Sequence, residues 1–94
     1  MKAIWTEPAA RALEQIQDYI AQDNRAAAYE VAITIEAAVQ NLSKHPKIGR
    51  AGRVKNSYEL VIPGLPYIVP YRIKDQDIHI LSVFHTARKW PEQF

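Results

Sequence analysis

The sequence predicts an α+β domain ordered β-α-α-β-β-β, with an N-terminal helical hairpin packed on a small antiparallel-rich sheet. Three observations carry that expectation. Two stretches repeat apolar residues every three or four positions, and three later runs are rich in Val, Ile and aromatic residues. Between those runs lie Pro63-Gly64 and the polar break Lys74 to Asp77, both of which read as hairpin turns.

In chain order, Lys2 to Trp5 is a short strand whose backbone needs a place in the sheet. Thr6 or Glu7 precedes a helix, and Pro8 suits its first turn, where an N–H has no helical acceptor. From Ala9, the residues Ala9, Ala12, Leu13, Ile16, Tyr19 and Ile20 form one apolar stripe, so this helix runs to about Ala21. Trp5 and Tyr19 are assigned to the core. Asp23 or Asn24 caps a second helix carrying Ala28, Val31, Ile35, Ala38, Val39 and Leu42 at helical spacing. Its alanines permit close approach to the first helix, and His45-Pro46 ends it.

The strand runs are Tyr58 to Ile62, Leu65 to Ile73 and Ile78 to Phe84. In the middle run Tyr67, Val69, Tyr71 and Ile73 share one face, while Ile68, Pro70 and Arg72 share the other and are expected to lie partly in water. Pro70 cannot donate to a ladder, so it should meet an edge, a bulge or a strand end. His79, Leu81, Val83 and His85 fall on one face of an unbroken last strand. Six residues separate the two histidines, roughly 20 Å in extended chain, which argues against a zinc site.

With 94 residues, 48% hydrophobic and 23% charged, the chain is expected to form one domain over 1–94. It has no cysteine, which removes disulfide and thiolate chemistry, and it has no long apolar run or signal-like start. No membrane contact and a cytoplasmic location are the corresponding expectations, and no motif asks for a metal or cofactor.

The formal net charge is only +2, yet Lys44, Lys47, Arg50, Arg53 and Lys55 follow one another without an acid among them. Such a loop can meet phosphate or an acidic segment, or can simply be solvated. Gly49 and Gly52 let it turn and leave the guanidinium groups around Arg50 free to reach outward. A metal-independent nuclease would need an acid, a base and cations about one phosphate; His85, Arg72, Arg88, Arg53 and Glu59 are residues of those types. The alternatives are a hydrogen-bonding role for His85 at a strand end and a cross-strand charge partner for Arg72. Trp90 is expected to pack the C-terminal tail down.

Six segments together resemble the RelE/ParE superfamily of toxins from bacterial type II toxin–antitoxin modules: Trp5-Thr6-Glu7-Pro8-Ala9, Asp18-Tyr19-Ile20-Ala21, His45 to Arg50, Glu59-Leu60-Val61, Pro66 to Arg72 and His85 to Pro91. The resemblance spans nearly the whole chain and implies the same hairpin-on-sheet fold. It also implies growth inhibition, a plasmid-stabilisation context, a cognate antitoxin as partner, and operator DNA reached indirectly through that antitoxin.

The family divides into ribosome-dependent messenger ribonucleases and poisons of DNA gyrase. The nuclease branch has an arginine three residues before the tyrosine that here is Tyr71, and this chain has Ile68 there. That branch commonly ends in a catalytic tyrosine, yet none follows Tyr71. Pro66 to Arg72 resembles the gyrase-directed branch, although Tyr58 stands where that branch often has an arginine before Glu59. The resemblance therefore implies gyrase as the target, with Arg50, Arg53, Lys55, Arg72, His85 and Arg88 as contacts. The ribosome with its messenger RNA is the alternative target, with His85, Arg88, Arg72 and Arg53 as the catalytic set; an inactive or differently targeted member is the third possibility.

Overall fold

A computed structural model describes residues 1–87. The chain runs β1 (Lys2–Trp5), α1 (Glu7–Ala21), α2 (Arg25–Asn41), β2 (Arg50–Ala51), β3 (Tyr58–Val61), β4 (Tyr67–Lys74), β5 (Asp77–Ile80) and β6 (Phe84–His85). Thr6 caps α1, its Oγ1 accepting from the Ala9 N–H while donating to the Ile80 carbonyl, and Pro8 lies in the first turn. Asn24 caps α2 by accepting from the Ala27 N–H. The side chains that start the helices thus satisfy N–H groups that have no partner inside them.

The strands form one sheet in the order β1-β5-β4-β3-β2, with β6 also on β4. All neighbours are antiparallel except β1, which pairs parallel with β5. One hairpin turns at Ile62-Pro63-Gly64-Leu65, where Leu65 N–H donates to Ile62 O and Gly64 takes φ +76°, the geometry of a type II turn. The β4–β5 hairpin turns on two residues, Asp75 and Gln76, at φ 53° and 65°. Both lie in the left-handed region, as a type I′ turn requires.

One face of the sheet carries Tyr58, Leu60, Tyr67, Val69, Tyr71, Ile78 and Ile80, which close on Ala9, Leu13, Ala32, Ile35, Val39 and Leu42 of the helical hairpin and its end. Tyr19 departs from its expected place: it is 74% exposed. Successive helical residues are 100° apart, and Tyr19 sits at the rim of the stripe that Leu13 and Ile20 define. Trp5 is half-buried against the core.

The opposite, outer face is not open water as expected. Ile68 and Pro70 are buried there, as is Glu59, against which the chain from Arg50 to Ser57 folds back with Val54 inside. The last run is also broken rather than continuous. Ile80 faces Tyr71 and Phe84 faces Ile68, so residues 81–83 oppose only two residues of β4, which is a bulge. The Pro70 carbonyl accepts from the Leu81 N–H, which turns the side of proline without a donor toward that bulge. The extra residue reverses the alternation. His79 remains on the outer face beside Arg72, whereas His85 lies with Tyr67 on the helix face, so the two histidines do not share a face.

Among the described residues, no helix is long and apolar enough to cross a membrane.

Candidate functional site

Two surfaces hold the candidate residues. On the outer face, β3 supplies Glu59, 2% exposed in a strand otherwise made of Tyr, Leu and Val. A carboxylate is seldom buried unless paired. Here Oε1 accepts from Arg50 Nε at 3.2 Å and Nη2 at 3.1 Å, while Oε2 accepts from the Arg53 backbone N–H at 2.7 Å and lies 3.8 Å from Arg53 Nε. The acid-free run in sequence thus has its acid in space. Arg50 and Arg53 are anchored inward at one end, correcting the expectation that they swing freely outward; both side chains remain about half exposed.

Lys55 is exposed on the same loop, and its carbonyl accepts from Arg72 Nη2 at 3.4 Å. Arg72 therefore meets the loop and stands opposite His79, rather than forming the cross-strand charge pair weighed from sequence. Ile68, which occupies the position of the nuclease branch's arginine, is buried and presents no cation.

His85 lies on the other surface. Its ring meets Tyr67 edge-on with centroids 5.5 Å apart, and its Nδ1 accepts from the Ala87 N–H at 3.1 Å. His85 lines a groove in which Ile16, Tyr19 and Ile20 of α1 face Tyr67. Tyr67 and Arg72 are five positions apart on β4, about 17 Å of strand, and the two point to opposite faces. The structure thus gathers Arg50, Arg53, Lys55 and Arg72 with Glu59 and places His85 apart from them. Arg88 and Trp90 lie outside the described residues. Among the described residues no cluster of three His or acidic side chains is arranged to hold a metal ion.

Sequence reasoning missed one anchoring residue. The Tyr71 phenol donates to the Pro46 carbonyl at 2.8 Å and accepts from the Gly49 N–H at 3.0 Å. Burial pushes its pKa up, opposed by the Gly49 bond and reinforced by Tyr58, whose ring stacks on it at 5.3 Å. A Cβ at Gly49 would stand 2.6 Å from that phenol oxygen, so the glycine is required by close approach rather than by loop flexibility. A glycine following a proline loop was the visible signal; its partner was not.

Comparisons with known proteins agree with this architecture. Residues 3–90 match the family model described as ParE toxin of type II toxin-antitoxin system, parDE. A Sinorhizobium fredii (strain NGR234) protein that carries the name toxin Y4kP is 44% identical over 88 residues, covering 94% of this chain and 91% of that one. Toxin RelE2 of Caulobacter vibrioides is 32% identical over 87 residues, covering 93% and 97%. A solved chain from the chromosomal ParDE TA system of P. aeruginosa superposes with a TM-score of 0.81 at 27% identity, covering 90% of this chain and 95% of its own. A helical hairpin on this sheet and a family match over nearly the whole length lead to one assignment: the chain belongs to the ParE toxin family of type II toxin–antitoxin systems.

Proposed function

We propose that this toxin inhibits growth by binding and poisoning DNA gyrase, and that a cognate antitoxin holds it inactive. The observation that carries the target is the division of the charged residues between two surfaces. Phosphoryl chemistry needs its acid, base and cations within reach of one phosphate. Arg72 and His85 are instead on opposite faces, and Arg50 and Arg53 spend part of their hydrogen-bonding on Glu59. A broad basic face suits binding, which asks for no covalent step.

The antitoxin reading draws support from the family and from the apolar groove beside α1, where Tyr19 stands exposed. Such a groove suits a segment that folds as it binds. The test of the target is a pair of assays on purified protein. Gyrase supercoiling should fall, with cleaved DNA accumulating, while messenger RNA on programmed ribosomes stays intact. Ribosome-dependent cleavage with unaffected gyrase would overturn the reading in favour of the ribonuclease, which the similarity to toxin RelE2 keeps as the second arm.

A further inference from the structure

We infer that Glu59 is a positioning residue, which clamps the Arg50 to Ser57 loop so that Arg50, Lys55 and Arg72 form a fixed set of cations for the sugar–phosphate backbone of duplex DNA. This deepens the gyrase reading and rests on it for its biological setting, because gyrase holds DNA. The contact itself is tested without the enzyme.

Glu59 is out of place by local rules. Glutamate is depleted in strands, and this one is buried on β3, between β4 and the short edge strand β2, with both oxygens occupied by the loop. The loop is also closed on itself. Gly52 N–H donates to the Ser57 carbonyl at 2.8 Å, Ser57 Oγ donates to the Val54 carbonyl at 2.6 Å, and the Val54 side chain is buried. A Cβ at Gly52 would meet Ser57 Oγ at 2.2 Å, so the loop has no room for a side chain there.

On this face Arg50 and Arg53 meet the Glu59 carboxylate, Arg72 meets the Lys55 carbonyl, and the other acid at an outer-face strand position, Asp77, stands opposite Lys74 at the far end of β4. Without Glu59 the mutual repulsion of Arg50, Arg53, Lys55 and Arg72 would spread the loop. With it the positive charge is held in one arrangement and remains in excess. The chemistry of the surface selects its partner. Ile68, Pro70 and Val54 on this side are buried, Ile4 and Phe84 at its strand positions are half-buried, and Val61 is the exposed apolar residue at an outer-face strand position among those described. Protein interfaces lean on apolar and aromatic anchors, whereas nucleic-acid backbones are met by arginine and lysine.

The experiment is fluorescence anisotropy of a labelled duplex of roughly 20 base pairs with the full chain, from about 50 to 200 mM salt. Each phosphate contact contributes a salt slope of about 0.9, so three contacts give about 2.7. Glu59→Gln separates two accounts by sign. Removing a negative charge would tighten binding and steepen the slope if the face were a diffuse positive field. Positioning requires the reverse, roughly tenfold weaker binding and a shallower slope. Gly52→Ala alters the loop at constant charge and should weaken binding likewise, and Lys55→Gln should remove about one contact from the slope.

Absence of duplex binding by the parent chain at low salt, including the case in which it binds only an acidic protein, overturns the inference. So does a Glu59→Gln variant that binds as tightly or more tightly. Should Glu59→Gln lose its folded circular-dichroism spectrum, a folded Gly52→Ala variant with unchanged binding overturns it instead. Duplex binding that follows these signs while supercoiling is unaffected would uphold the inference and remove the gyrase reading.

Discussion

Tyr71 holds Pro46 from 25 positions away: its phenol donates to the proline carbonyl at 2.8 Å, and the same oxygen accepts from Gly49. One side chain from the centre of the sheet thereby fixes the exit of α2 and the entry to the basic loop. Tyr71→Phe should cost about 1–3 kcal/mol, because the Gly49 N–H and the Pro46 carbonyl both lose their partner in a half-buried site. Urea denaturation of the two proteins measures the difference.

The same phenol gives a pH dependence of known sign. Its folded pKa is raised above the ordinary 10.0, so the unfolded chain gives up this proton first as pH rises. Stability from this group is fully present below about pH 10 and is lost as pH climbs from there through the folded value. Denaturation midpoints taken from about pH 8 to about pH 11 should fall, and Tyr71→Phe should fall less steeply over that window.

Arg50→Ala should destabilise the fold by about 1–2 kcal/mol, since it strips two donors from a buried carboxylate while Arg53 and solvent at the loop surface soften the loss. A thermal melt gives the value. A neutral result would show that Glu59 is satisfied by Arg53 alone.

Gln76 occupies the second position of the type I′ turn at φ 65°, where a side chain is strained. Gln76→Gly should therefore stabilise the protein by about 0.5–1 kcal/mol, raising its melting temperature. A lower melting temperature would mean that the flexibility added to the unfolded chain outweighs the relief.

Tyr19→Ala should change folding stability by no more than about 0.5 kcal/mol, as its ring is largely in solvent. A loss of several kcal/mol in a urea titration would put the ring back in the core.

Much of this fold was legible because its signals are local. Helix caps at Thr6 and Asn24, the Pro63-Gly64 turn and the apolar stripes each depend on neighbours a few positions apart. What escaped was set by distant partners. The bulge at residues 81–83 looks like ordinary strand sequence, yet it decides that His85 faces the helices and His79 does not. Arg50 and Arg53 read as free cations because Glu59 lies outside their run, and Gly49 read as a hinge because Tyr71 is far along the chain. The basic residues of the candidate site were legible as a set. Their shared anchor required the β2–β3 register that places Arg50 opposite Glu59.

The parallel pairing of β1 with β5 joins parts of the chain made at very different times. Thr6 caps α1 yet gives its hydroxyl and its N–H to Ile80, 74 positions later. During synthesis at about 5–20 residues per second, the helical hairpin can form early from contacts within itself, but β1 has no strand to join until β5 has left the ribosome. Until β5 is made, the nascent chain lacks its finished sheet, and Thr6 can cap α1 but has no Ile80 carbonyl to meet.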